Sequence, residues 1–291
     1  MKDDGLATQS LGALLAELAA GLDSAGVALA PDEARDIVAA VLDVPRFWPT
    51  TNREALIDST VVGEARNAAA ARARGAPFAY AVGRAAFRYL TLAVDHRVLI
   101  PRQETEVLVD LVLQAQAGGR GTAIDVGTGS GAIALALATE GTFDRVVGTD
   151  ISRDALAVAE RNAAFLRDDL GAPVDFVHGS LLAPVRDVRA SVIVSNPPYI
   201  AFAELEELPP SVRDWEPPLA LVSADGGLAA TRAIIREAPT VLEVGGLLAL
   251  EVDSRRASLV AEAVASDGSY GDIAVRLDLT GRERFVLARR R

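Results

Sequence analysis

The tetrapeptide Asn196-Pro197-Pro198-Tyr199 follows directly on the apolar run Val192-Ile193-Val194-Ser195, so it leaves the end of a predicted β-strand. Two consecutive prolines fix the local backbone and remove two amide donors, which leaves nearby carbonyls free to accept hydrogen bonds. The side-chain oxygen of Asn196 and the carbonyl of Pro197 can then receive both hydrogens of a planar amide or amine NH2 group, and Tyr199 offers an aromatic face to a planar acceptor. A nitrogen held in this way is oriented for in-line displacement, and positive charge developing on it is stabilised. No dedicated general base is required, because the nitrogen can lose its proton after the transfer. A proline turn is the plainer account of Asn-Pro by itself; the whole tetrapeptide at a strand end favours chemistry.

A second constellation lies upstream. Asp125-Val126-Gly127-Thr128-Gly129-Ser130-Gly131 joins a predicted strand to the apolar helix Ala132-Ile133-Ala134-Leu135-Ala136-Leu137-Ala138. Glycines there let the backbone turn tightly and approach a nucleotide at the carboxyl edge of a sheet. The pattern is shared by dinucleotide-binding and S-adenosylmethionine-binding sheets. Two carboxylates favour the second. Asp125 would repel a pyrophosphate, yet it can organise the loop amides or a methionine ammonium. Asp150 closes the next strand 25 positions later, where a carboxylate can accept from both ribose hydroxyls; its plainer role is to cap the helix that follows.

The elements that must position these residues follow from periodicity. Leu11, Leu14, Leu15 and Leu18 share one helical face, and a second helix starts at Pro31, with Asp32 and Glu33 at its positive end and Ile37, Val38, Val41 and Leu42 as its stripe. Thr51 is positioned to cap a third short helix, and an alanine-rich helix from Val61 to Arg74 stops at Gly75. Residues 1–76 therefore read as a small helical bundle. Residues 77–103 read as a hairpin-containing linker with β pieces at Ala85–Tyr89, Leu92–Val94 and Val98–Ile100. Over residues 104–291 strands and helices alternate, including a helix from Ser130 and one from about Gly227 to Val241, which makes a parallel sheet covered on both faces. The last two strands, near Ile273–Leu277 and Arg284–Ala288, are joined by too few residues for a crossover and should pair as an antiparallel hairpin.

Composition narrows the partners. With 29 Lys+Arg against 40 Asp+Glu, a net charge of −11 disfavours a phosphate backbone, hence nucleic acid. There is no cysteine, which excludes disulfides and thiolate chemistry, and His96 and His178 lie far apart, so no metal site is expected. The N-terminal stretch Met1–Gly5 is acidic and lacks the pattern of a signal peptide, and the longest apolar runs, 132–138 and 241–252, fall short of the roughly 20 residues that span a bilayer. A cytoplasmic protein without a membrane partner is expected.

With these residues in view, the chain resembles the HemK/PrmC family of glutamine methyltransferases that modify class I peptide-chain release factors. The resemblance runs from Pro77-Phe78-Ala79-Tyr80 and Gly83 through Val98–Glu106, Gly127–Gly131, Asp150 and Ser195–Ile200 to Glu216-Pro217, Ala220-Leu221 and Asp278–Arg284. It implies a Rossmann-like class I methyltransferase fold of the α/β class, a parallel sheet with an antiparallel C-terminal hairpin, plus a small N-terminal helical domain that docks the release factor. It implies S-adenosyl-L-methionine as cofactor, held by Gly127, Thr128, Gly129, Ser130, Gly131 and Asn196, with Asp150 on its ribose and the pair Ser180-Leu181 beside adenine. Asn196, Pro197, Pro198 and Tyr199 would bind the glutamine amide of a Gly-Gly-Gln tripeptide. Four positions depart from the family pattern: Ser180-Leu181 in place of an acidic residue and an aromatic, Gln103 in place of proline, and Asp253 where glycine is usual. A ribosomal protein remains open as the glutamine-bearing acceptor, and adenine, which also presents a planar NH2, stays as a more distant alternative.

Overall fold

The computed structural model describes residues 9–291, so the acidic stretch at Met1–Gly5 lies outside the described residues. Two compact units emerge. One runs through Gly83 and takes in Pro210–Trp215; the other comprises Arg84–Pro209 and Glu216–Arg291.

The first unit is helical. After the two-residue β1 (Gln9–Ser10), the Ser10 hydroxyl accepts from the Ala13 N–H and starts α1 (Leu11–Ser24), whose Leu11, Leu14, Leu15 and Leu18 are buried along the expected face. Helix α2 (Ala30–Leu42) carries Pro31 in its first turn and buries Ile37 and Val38. Thr51 does not open a helix. It ends α3 (Trp48–Thr51), which Pro49 initiates, and its hydroxyl donates back to the Trp48 carbonyl (3.1 Å). After β2 (Leu56–Ile57), which pairs antiparallel with β1, Asp58 caps α4 (Ser59–Ala73) through the Thr60 N–H. The short α5 (Phe78–Val82) completes the unit, replacing the irregular start of the expected linker.

The second unit begins with the hairpin β3 (Arg84–Phe87) and β4 (Leu90–Ala93), which turns at Arg88 in the left-handed region (φ 54°). Phe87, Leu90 and Leu92 are buried in the main core, so the hairpin packs on the sheet unit. Val98–Ile100 forms no strand; the Ile100 N–H points to the Glu216 carboxylate (3.4 Å) and Pro101 follows, so no ladder can continue. Then come α6 (Gln103–Ala115), β5 (Thr122–Val126), α7 (Ala132–Glu140), β6 (Arg145–Asp150), α8 (Arg153–Phe165), β7 (Val174–His178) and β8 (Ala190–Ser195). The four-residue α9 (Pro210–Arg213) clusters with the helical unit. The remainder is α10 (Pro218–Leu221), α11 (Ala224–Gly227), α12 (Ala229–Glu237), β9 (Leu242–Glu251), α13 (Ala257–Asp267), β10 (Tyr270–Leu277) and β11 (Glu283–Arg290).

Seven strands form one sheet in the order β10-β11-β9-β8-β5-β6-β7, parallel except where β11 runs antiparallel to both its neighbours. Alternation along the strands sends Ala123, Val146, Val192 and Ala249 to one core beneath α6 and α7, and Ile124, Val147, Ile193 and Leu248 to the other beneath α12 and α13. Helix α7, buried on every side from Ala132 to Ala138, starts two residues later than Ser130 because Gly131 is left-handed (φ 83°). The helix expected near 227–241 forms as α12, which starts at Ala229 because Gly226 and Gly227 have positive φ (62° and 88°) and passes at Pro239, which lacks an N–H, into a tight turn over 238–240. The chain lays down β5, β6 and β7 on one side, then crosses back to place β8 against the other edge of β5. The carboxyl ends of β5 and β8 therefore flank a topological switch point, where open α/β sheets form a crevice.

Candidate active site

Both sequence constellations leave the sheet at that crevice. Gly127, Gly129 and Gly131 all adopt positive φ (72°, 55° and 83°), which the tight turn after β5 requires and other residues resist. The Gly127 and Thr128 N–H groups donate to the Thr149 carbonyl (2.8 and 2.9 Å), fastening the loop to the end of β6. Across the crevice, the Ser195 hydroxyl donates to the Val126 carbonyl (2.7 Å) and holds the ends of β5 and β8 together.

Asp125 is wholly buried beneath the loop. Its Oδ2 accepts from the Thr128 hydroxyl (2.6 Å) and the Ala134 N–H (3.1 Å), while Oδ1 has no partner. Of its two possible roles, organising the loop is the one this geometry displays. Burial is the main cause that pushes its carboxyl up to about 7. Asp150 accepts from the Gly129 N–H (2.9 Å) and the Ser152 N–H (2.8 Å). Helix α8 is capped by Ser152, so Asp150 is not the cap residue. Burial raises the Asp150 carboxyl above the ordinary range, and the backbone N–H groups oppose the shift.

Two cavities open here. The larger, of about 240 Å³, is lined by Gly127, Gly129, Asp150, Leu181, Asn196 and Pro198, with apolar walls from Val98, Leu99, Leu219 and Ala220. The smaller, of about 50 Å³, is lined by Thr105, Thr128, Ser130, Ile133, Arg102 and again Asn196. Asn196 thus stands where the two meet. Gly131 instead packs against Leu135, Phe176 and Ala159, and Pro197 is buried. Tyr199 is half-buried with its phenol pushed up to about 12, chiefly by burial and then by the Glu251 charge, so it stays neutral at working pH. Leu181 holds a left-handed backbone (φ 49°), and its carbonyl accepts from the Thr149 hydroxyl (2.9 Å).

The larger cavity suits a nucleoside. Its walls are apolar, as a base requires, and a carboxylate lies at one edge, as a ribose requires. A Cβ on Gly127 or Gly129 would meet no protein atom within 4 Å, so the loop leaves room for a close ligand.

Three residues of the site were not picked out from sequence. The Asn196 Nδ2–H donates to the Thr105 hydroxyl (3.1 Å), and Thr105 Oγ1 lies 2.7 Å from the Glu251 carboxylate. Thr105 falls on the apolar stripe of α6 with Leu108, Val109 and Val112, and Glu251 ends the buried run Leu247–Leu250; a polar residue in an apolar pattern was the available signal. Asn162, on the buried face of α8, donates to the Ser130 carbonyl (2.9 Å) and bonds both backbone groups of Ala93 (2.8 and 3.0 Å). Arg102 and Glu106 make structural pairs. Arg102 joins the buried Glu216 (2.5 Å), and Glu106 accepts from the Arg88 N–H (3.1 Å).

A sheet of this order, with a glycine loop, an acidic strand end and Asn-Pro-Pro-Tyr at its switch point, defines an S-adenosylmethionine-dependent class I methyltransferase. Residues 103–207 match the methyltransferase small domain, and residues 13–83 match the PrmC N-terminal domain. The release factor glutamine methyltransferase of Moorella thermoacetica is 40% identical over 97% of this chain and 98% of its own, and that of Deinococcus radiodurans is 37% identical over 95% and 97%. The chain belongs to the release factor glutamine methyltransferase family. A methyltransferase from Pyrococcus furiosus shares the fold, with a TM-score of 0.52 and 18% identity over 77% of this chain and 94% of that one. Among the described residues no helix is long and apolar enough to cross a membrane.

Proposed function

We propose that this enzyme methylates the side-chain amide nitrogen of the glutamine in the Gly-Gly-Gln motif of class I peptide-chain release factors. The observation that carries the reading is Asn196, lining both cavities at the switch point with its Nδ2 already engaged by Thr105. That bond leaves Oδ1 to accept from a substrate NH2. An amide nitrogen is a poor nucleophile because its lone pair is conjugated. A site that fixes both of its hydrogens, through Asn196 Oδ1 and the Pro197 carbonyl, supplies the orientation that the chemistry lacks. The family relatives are named for this substrate.

In this reading Gly127, Thr128, Gly129 and Ser130 cradle the cofactor, Gly131 closes the turn behind them, Asp150 accepts from its ribose, and Leu181 flanks the adenine. Bound there, S-adenosylmethionine supplies an electrophilic methyl group. Pro198 and Tyr199 wall the acceptor side, and the helical unit docks the release factor in the cytoplasm. The net charge of −11 speaks against a nucleic-acid acceptor.

The test is transfer of labelled methyl from S-adenosylmethionine to a purified class I release factor, beside a copy whose Gly-Gly-Gln glutamine is alanine. Label on the first alone supports the reading. Label on neither overturns it and directs the search to ribosomal proteins.

A further inference from the structure

We propose that Thr105 and Glu251 are positioning residues that fix which end of the Asn196 amide faces the acceptor. The inference deepens the proposed function and rests on it for the identity of the acceptor.

An asparagine amide presents an oxygen on one side and an NH2 of nearly the same size on the other. Only the oxygen can receive a substrate N–H, so a half-turn of the amide would set donor against donor. The Asn196 Nδ2 lies 3.1 Å from Thr105 Oγ1, and that oxygen lies 2.7 Å from Glu251 Oε2. An ionised carboxylate only accepts. The single hydroxyl proton of Thr105 must then go to Glu251, and the hydroxyl oxygen is left able only to accept from Asn196. Nδ2 therefore turns inward and Oδ1 turns outward. A protonated Glu251 can instead donate to Thr105, which frees the hydroxyl to donate in turn and removes the preference. The polarity of Asn196 is set two bonds away by one proton.

The surroundings make that proton titrate in a useful range. Glu251 is 1% exposed. It is faced by Thr105, Glu104 and Arg102 from α6 and the segment before it, by Arg284 from β11, and by Tyr199 from the loop after β8. Asp253, two residues on, is held by Arg255 (3.0 Å), and Arg284 lies 3.6 Å from Asp278. Burial, the dominant influence on the Glu251 carboxyl, pushes it up to about 7, against the Thr105 hydrogen bond and the arginine charges. The sign is then determined. Above about 7 the carboxylate is ionised and the amide is locked; below it the lock is released.

The experiment pairs kinetics with an observation on the protein alone. Thr105→Val removes the hydroxyl at constant shape and should lower kcat about 100-fold while leaving the Kd for S-adenosylmethionine within about twofold; Thr105→Ser should restore most of the loss. The wild-type rate should rise with pH through about 7, and Glu251→Gln should lose that rise. Independently of turnover, the Asn196 side-chain NH2 signals of 15N-asparagine-labelled protein should move with pH around the same midpoint in the wild type and stay still in Glu251→Gln and Thr105→Val. A Thr105→Val enzyme with wild-type kcat and pH profile, or an Asn196 signal whose titration survives Glu251→Gln, overturns the proposal. If the wild type methylates no glutamine acceptor, the substrate reading falls and the spectra alone decide the lock.

Discussion

Replacing Asp125 by asparagine should flatten the dependence of stability on pH. The carboxyl is fully buried, holds Thr128 and Ala134 with one oxygen and leaves the other without a partner. Burial raises it from 3.8 to about 7, opposed by those two hydrogen bonds and assisted by the charge of Asp150. Because the folded value lies above the unfolded one, the native state binds the extra proton between them. Its contribution is fully present below about 3.8 and is lost as pH rises through about 7. A shift of about three units at 1.36 kcal/mol each amounts to up to about 4 kcal/mol, of which about 3 kcal/mol falls between about pH 5 and pH 8. Asparagine retains an acceptor for Thr128 and Ala134, and its unpartnered NH2 costs about 1–3 kcal/mol at every pH. Urea unfolding at both pH values, for wild type and variant, gives a difference of differences in which the slope from Glu251 cancels. The expected result is about 3 kcal/mol less loss in Asp125→Asn. Equal slopes in the two proteins would show that Asp125 is ionised throughout and that burial does not govern it.

Three further outcomes follow from the same geometry. Asn196→Ala should reduce turnover about 100-fold or more with little change in cofactor affinity, and calorimetric titration showing equal loss of both would contradict its placement on the acceptor. Gly148→Ala should lower stability by about 1–3 kcal/mol and weaken cofactor binding, because the new Cβ would lie 2.6 Å from the Phe176 ring and 2.8 Å from Thr128 Oγ1; an unchanged Tm would refute the crowding argument. Arg102→Met leaves the buried Glu216 without its partner, and with the Arg102 side chain one-third exposed the cost should be about 2–3 kcal/mol, recovered when Glu216→Gln is added; a double variant no more stable than the single one would mean that the uncompensated charge is not the cause.

The amino-acid sequence by itself determined the alternation of strands and helices, the antiparallel closing hairpin, the glycine loop, Asp150 and the Asn-Pro-Pro-Tyr segment at a strand end. Each is local: periodicity, turn chemistry and short motifs are written within a few neighbouring residues. Even local reading had limits. Nothing in its own apolar character stopped Val98–Ile100 from being a strand, whereas a carboxylate 116 residues away took the Ile100 N–H. The helix expected over 227–241 was trimmed to Ala229–Glu237, because Gly227 has positive φ and Pro239 lacks an N–H, so backbone conformation set its ends where hydrophobic spacing did not. Only the tertiary structure decided what stands behind Asn196. Thr105 and Glu251 are 146 residues apart, and Asn162 reaches Ala93 across 69. Thr105 and Glu251 meet Asn196 because β8 returns to the far side of β5, next to β9, and brings the ends of distant strands to one crevice, while Asn162 meets Ala93 where α8 packs against β4. A hydrogen bond depends on that proximity and on the few ångströms of geometry that packing sets, and neither leaves a period in the sequence.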